Sequence, residues 1–277
     1  MTQESSPLDI QVELVEQILL RFLCEELGAA GFERAVVGLS GGVDSAVSAA
    51  LAARALGPQN LLCVLMPYRT SNPDSAAHAE LLVEHLGCAS TLVDISAMAD
   101  GYLGAQDVSD PTRRGNVMAR CRMTVLYDLS VEWGGLVVGT SNKTEMLLGY
   151  STQFGDGAHA VNPLGDLYKH QVFQLARHLG VPAEIVDKPP SADLFEGQTD
   201  EADLGFTYAA ADRVLHQMVD RRASRAELIA AGHPAELVEA VARRVVRNQY
   251  KRLPPVIAKL SERTINMDFR YLRDWGV

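Results

Sequence analysis

The chain has 277 residues, 47% of them hydrophobic and 22% charged, a globular balance that excludes disordered, collagenous and low-complexity scaffolds. Its 25 Lys and Arg against 35 Asp and Glu leave a formal net charge of −10, a poor match for a nucleic-acid backbone or an anionic membrane surface. The length suits one large domain over residues 1–277, and an enzyme is the leading class. The four cysteines, Cys24, Cys63, Cys88 and Cys121, never fall in a C-x-x-C spacing, so neither a disulfide framework nor a structural zinc is expected. Met1 to Ser6 carry no basic stretch followed by an apolar one, and no window reaches about 18 consecutive apolar residues. The cytoplasm is the expected compartment.

In chain order, Val12, Val15, Ile18, Leu19, Phe22 and Leu23 recur at helical spacing and predict an amphipathic opening helix. Ala35 to Ser40 is short, apolar and β-branched, a buried parallel strand. Val43 to Leu56 reads as an Ala-rich helix that Gly57-Pro58 stops. A second strand is predicted over Leu61 to Met66, a helix around Ser75 to Leu86, and a third strand over Thr91 to Ile95. A long helix over Asn116 to Val131 leads to a fourth strand, Gly135 to Thr140. The alternation predicts an α/β fold with a doubly wound, mostly parallel sheet. Lys169 to Leu179 predicts a helix, and the chain from Tyr208 onward a mostly helical C-terminal part. Two polar segments, Asp100 to Gly115 and Lys188 to Gly205, are long for simple connections and are expected to be loops that close over a bound intermediate.

The sharpest chemical signal is Ser40-Gly41-Gly42-Val43-Asp44-Ser45, directly after a strand and directly before a helix. Two glycines let the backbone turn tightly and approach a ligand, and the helix start offers unpaired N–H groups and the positive end of its dipole to a phosphate. Ser40 and Ser45 add hydroxyl donors. Asp44 would repel a phosphate unless a Mg²⁺ lies between them, which is how that ion is commonly held. The lysine of the GxxxxGK[ST] loop is absent, which excludes that class of NTPase.

The SGGVDS run after a first strand resembles the pyrophosphate-binding loop of the ATP pyrophosphatases, which implies an adenine nucleotide alpha hydrolase-like, Rossmann-like fold. A longer series is similar to the NAD synthetases, in order and spacing. It comprises Asn116 to Met123, Gly139 to Glu145, Gly149-Tyr150, Gly155-Asp156-Gly157, Pro163-Leu164, Asp166 to Lys169, Pro190 to Leu194, Gly197 to Glu201 and Tyr250-Lys251-Arg252. That resemblance implies ammonia-dependent amidation of deamido-NAD through an adenylate, with AMP and pyrophosphate released. It places ATP on Gly38, Leu39, Ser40, Gly41, Gly42, Val43, Asp44 and Ser45, and on Thr140, Lys169 and Ser191. Asp44 and Glu145 become the Mg²⁺ ligands, and Lys169 offsets charge on the departing pyrophosphate. Asn116, Arg120, Gln153, Asp156, Tyr250 and Lys251 fall at deamido-NAD positions, with Arg122 assigned a structural role. Asp44, Lys169 and Asp156 are the candidate catalytic residues, Asp156 as an acceptor of the ammonium proton.

The sequence departs from the family pattern at Gln153, where lysine is common, at Ala160, where aspartate is common, and at Tyr250, where some relatives carry histidine. Only a helix fits before Ser40, so free or separately delivered ammonia is expected as the nitrogen source. The resemblance also implies a homodimer with substrate near the subunit boundary. The competing readings are another amidating or thiolating enzyme with the same loop, such as a GMP synthetase or tRNA thiolase relative, and a non-catalytic adenine-nucleotide-binding module. A thiolase should show paired cysteines and a basic face, which this chain lacks.

Overall fold

The computed structural model of the chain describes residues 6–191, 199–265 and 267–268. Among these, four strands form one parallel sheet: β1 (Ala35–Leu39), β2 (Leu61–Leu65), β3 (Ala89–Leu92) and β4 (Leu136–Val137), in the spatial order β3-β2-β1-β4. Because strand side chains alternate, Ala35, Val37 and Leu39 enter one core and Val36 the other. Leu61, Cys63 and Leu65 divide from Leu62 and Val64 in the same way. Burial on both faces is why these strands read as unbroken apolar runs.

In chain order the first helices are α1 (Val12–Ala29), α2 (Val43–Leu56), α3 (Pro73–Leu86), α4 (Ser96–Ala105), α5 (Pro111–Trp133) and α6 (Lys143–Leu148). They are followed by α7 (Lys169–Leu179), α8 (Ala183–Val186), α9 (Asp200–Leu204), α10 (Tyr208–Leu215), α11 (Arg225–Ala230) and α12 (Ala235–Arg247). Helices α1, α2, α3 and α7 share the core on one face of the sheet, and α4 and α5 cover the other. The small side chains of Ala46, Ala49, Ala50 and Ala53, all buried, let α2 sit between β1, α1 and α7. A third core joins the C-terminal helices to the sheet domain, with Leu148 of α6 and Tyr168 packed among Val214, Leu215, Leu228, Val238 and Val241.

The doubly wound sheet is therefore as expected, and α1, α2 and α7 form where the periodicity places them. Five local expectations need correction. Residues 100–115 are not a long loop: α4 runs to Ala105 and α5 starts at Pro111. The Asp110 carboxylate accepts the Arg113 N–H at 2.7 Å and Pro111 occupies the first turn, a good helix start. Gly101 and Gly104 lie inside α4, which is held by burial of Ala99 and Leu103. The third strand lies earlier, at Ala89–Leu92, and Asp94 turns the chain by accepting the Ser96 N–H at 2.7 Å. The fourth strand pairs with β1 only over Leu136–Val137, while Val138 bridges to Val161 instead. After Arg252 the described C-terminal segment is not helical. Of the segment 188–205, α9 is helical and residues 192–198 lie outside the described residues.

The four cysteines are free, with the Cys63 and Cys88 sulfurs 3.5 Å apart. Among the described residues no helix is long and apolar enough to cross a membrane. The chain leaves β1 through α2 toward β2, whereas β4 lies on the opposite side of β1. That reversal opens a crevice at the carboxyl ends of β1 and β4, where open α/β sheets bind ligands.

Candidate active site

Strand β1 delivers Ser40-Gly41-Gly42 straight into α2. Gly41 has φ +72°, and a Cβ there would lie 2.2 Å from the Ser75 carbonyl oxygen, so both conformation and packing demand glycine. Gly42 caps α2 without any side-chain acceptor for the first N–H groups, which leaves them available to a phosphate. The Ser45 hydroxyl donates to the Gly42 carbonyl at 3.0 Å and lies 3.1 Å from the Ser40 hydroxyl, so the two serines also brace the loop itself.

The acids and the lysine converge beside this loop. Lys169 Nζ lies 2.5 Å from Asp44 Oδ2 and 3.3 Å from Glu145 Oε1. The other oxygen of each carboxylate is held by Asn142: its side-chain amide donates to Asp44 Oδ1 at 2.8 Å, and its backbone N–H to Glu145 Oε2 at 3.2 Å. Asn142 and Glu145 form the capping box of α6, since the Glu145 N–H returns a 2.9 Å bond to Asn142 Oδ1. A helix cap thus aims a functional carboxylate. Lys169 opens α7, where a cation opposes the helix dipole, and its side chain is only 2% exposed. Its location is accounted for by the two acids and by the Tyr208 ring, whose centroid is 4.9 Å from Nζ.

Two acids share one lysine, and the charges show it. Burial and then the Asp44 charge push the Glu145 carboxyl up to about 8, against the pull of Lys169. Burial works against the Lys169 charge, but Asp44 and Glu145 outweigh it and hold the ammonium above its ordinary range. Unfolded, Glu145 would ionise near 4.5, so its protonated form contributes stability that is complete below that pH and is lost as the pH rises through about 8. A divalent cation with ATP would need the ionised form, so binding Mg·ATP at neutral pH should release about one proton. Titration calorimetry in two buffers of different ionisation enthalpy reads that release, and Glu145→Gln should remove it.

A buried lock sets the relation between α6 and α7. Asp212 of α10, with 0% exposure, accepts the Thr144 hydroxyl at 2.6 Å and the His170 N–H at 2.8 Å, while Thr144 Oγ1 accepts the Lys169 N–H at 3.0 Å. Thr144 and His170 are the immediate neighbours of Glu145 and Lys169. Asp212→Asn turns an acceptor into a donor facing another donor and should destabilise the fold by about 1–3 kcal/mol, measured by urea denaturation.

A cavity of about 900 Å³ joins these groups to a second set. One side, where the sequence places ATP, is formed by Gly38, Leu39, Ser40, Gly42, Val43, Asp44 and Ser45 with Thr140, Glu145, Lys169 and Ser191. Its other side includes Asn116, Asp156 and Lys251. Asn116 Oδ1 accepts the Thr152 hydroxyl and Asp156 Oδ1 the Thr152 N–H, each at 2.8 Å. Burial raises the Asp156 carboxyl above the ordinary range. Lys251 donates to the carbonyls of Gly149 and Ser151, both at 2.7 Å, so it pins the loop that leads to Asp156.

Arg120, Gln153 and Tyr250 do not line this cavity. Arg120 is exposed and donates to the Gln153 carbonyl at 3.2 Å, and Tyr250 is 56% exposed. Of the two α5 arginines it is Arg122 that lines the wall, where it donates to the Met66 carbonyl at 3.0 Å, a bracing contact of the kind expected of it. Two positions apart on α5, the pair points to different sides, and only one can face inward. The residue types alone had not singled out Asn142, Asp212 or Asp200. Asp200, buried at the cavity, accepts Tyr150 Oη at 3.1 Å and Tyr208 Oη at 3.0 Å. Asn142 was legible, because Asn-x-x-Glu before an apolar pair is a helix-start signature.

The NAD synthase family profile matches residues 15–255. The chain belongs to the NAD synthase family. It is 57% identical to the NH(3)-dependent NAD(+) synthetase of Chlorobium phaeovibrioides, over 97% of this chain and 97% of that protein. Among solved structures it is similar to an NMN synthetase from Francisella tularensis, with a TM-score of 0.81 at 32% identity, and to an NH3-dependent NAD synthetase from Campylobacter jejuni, with 0.78 at 30%. Each alignment covers 91% of this chain and 100% of the other. These likenesses favour the NAD synthase family over a GMP synthetase or thiolase relative, or a non-catalytic module.

Proposed function

We propose that this protein amidates deamido-NAD to NAD with ammonia, at the expense of ATP, which leaves as AMP and pyrophosphate. The observation that carries this reading is one cavity holding both the glycine loop with Asp44, Glu145 and Lys169 and the Asn116–Thr152–Asp156 cluster. A carboxylate cannot yield oxide to ammonia, so it must first become an adenylate. The nucleotide side supplies what that step needs, and the acceptor is already ionised and requires no base.

Asp44 and Glu145 would hold a Mg²⁺. The fit is good: hard oxygen donors meet at one cation, Lys169 Nζ, and Glu145 stays partly protonated because one positive charge does not satisfy two buried acids. When bound, the ion would neutralise phosphate charge. Lys169 would move its ammonium toward the leaving pyrophosphate, and Asn142 would keep both carboxylates aimed. Asp156 would take a proton from the attacking nitrogen, a role that its raised carboxyl supports. Arg120, Gln153 and Tyr250 sit outside the cavity wall, which supports a homodimer that brings substrate to that surface. The work of such an enzyme on soluble metabolites fits the cytoplasm.

The test is pyrophosphate release and NAD formation with ATP, Mg²⁺, ammonium and deamido-NAD. Nicotinate mononucleotide belongs beside it as a second acceptor, because one structural relative is named for NMN. Turnover with neither acceptor would sink the reading.

A further inference from the structure

The nucleotide side of the cavity, as assembled, is short of positive charge. Lys169 is shared between Asp44 and Glu145, and a divalent cation held by those two acids would have its charge offset by them. Lys169 is thus the one cation so far set against the triphosphate's own charge.

Lys188 is placed to supply another. It follows α8, lines the same cavity and is half-buried. Its Nζ donates to Ser75 Oγ at 2.9 Å, and no carboxylate among the described residues forms an ion pair with it. Ser75 is the residue whose backbone carbonyl packs on Gly41, 2.2 Å from where a Cβ would stand. The ammonium therefore rests one side chain away from the glycine turn, on a neutral hydroxyl that a phosphate oxygen outcompetes, since charge-assisted bonds are roughly twice as strong as neutral ones.

We propose that Lys188 is a second phosphate-binding cation of this site, leaving Ser75 to contact the outer phosphates of ATP and staying with pyrophosphate after the adenylate forms. The inference rests on the ATP-dependent reading above but is read out separately from it. Calorimetry on the full chain gives Kd for Mg·ATP, for Mg·pyrophosphate and for deamido-NAD, each alone. Lys188→Met should raise the first two at least about tenfold and leave the third unchanged. Lys188→Arg should return them to within about threefold of the parent, because it restores the charge. A second measurement needs no variant: Mg·ATP, but not deamido-NAD alone, should protect Lys188 from acylation, read by mass spectrometry of the native protein. An ATP Kd within about twofold of the parent in a folded Lys188→Met protein, or acylation of Lys188 indifferent to Mg·ATP, overturns the proposal. Weakened ATP and pyrophosphate binding in a protein that never amidates deamido-NAD would uphold Lys188 and remove the substrate assignment instead.

Discussion

Asp44→Asn is expected to lower kcat for NAD formation by about 10²–10³-fold, the range found when one preorganised charge-stabilising group is removed from an active site. The substitution keeps the size of the side chain and its bond from Asn142, so the loop conformation should persist. What disappears is one of the two anions that would anchor a divalent cation and one partner of Lys169. Glu145 then becomes the only carboxylate among the described residues bonded to that lysine, and its pKa should fall from about 8, because the repulsion from Asp44 is gone. The variant should therefore fold with a Tm close to that of the parent and release less than the parent's proton on binding Mg·ATP. Steady-state pyrophosphate release at saturating Mg²⁺, with calorimetry alongside, checks both. Full turnover in this variant would remove the metal assignment.

Lys169→Met should cost about as much in kcat, with a smaller change in the KM for ATP, since the ammonium is needed most as charge builds on the departing pyrophosphate. Its structural consequence differs from that of Asp44→Asn. Removing a cation that is 2% exposed leaves Asp44 and Glu145 facing each other without compensation, and breaking a buried pair by deleting one partner typically costs about 3–5 kcal/mol. Protonation of Glu145 relieves part of that, so stability should drop most steeply as the pH rises. Added Mg²⁺ should raise the Tm of Lys169→Met by more than it raises that of the parent, because the ion enters where the lysine was. Thermal unfolding with and without Mg²⁺ at pH 6 and pH 8.5 measures the difference, and an equal Mg²⁺ response in both proteins would contradict the shared-cation picture.

The strand, glycine turn and helix that carry Asp44 were readable from sequence because their determinants are local. A β-branched run, two glycines and an Ala-rich helix follow one another within Ala35–Leu56, and each enforces the next. Helix α4 was not readable, since Gly101 and Gly104 outweigh its few apolar residues until Ala99 and Leu103 are buried against α5. On the acceptor side, Asn116 and Asp156 meet through Thr152, whereas Lys251 spends its hydrogen bonds on the loop carbonyls and Arg120 faces outward.

From the order of residues alone follow the parallel sheet and the glycine turn between β1 and α2, since strand alternation, helix periodicity and turn chemistry act over a few residues. Folding alone decides which of those side chains meet. Lys169 reaches Asp44 across 125 residues, Asp212 reaches Thr144 across 68, and Lys188 reaches Ser75 across 113. Such contacts depend on how whole helices are rotated and docked, which is settled by packing of the three cores rather than by any local preference. For the same reason, which of Arg120 and Arg122 lines the cavity follows from the rotation of α5 about its axis against the sheet.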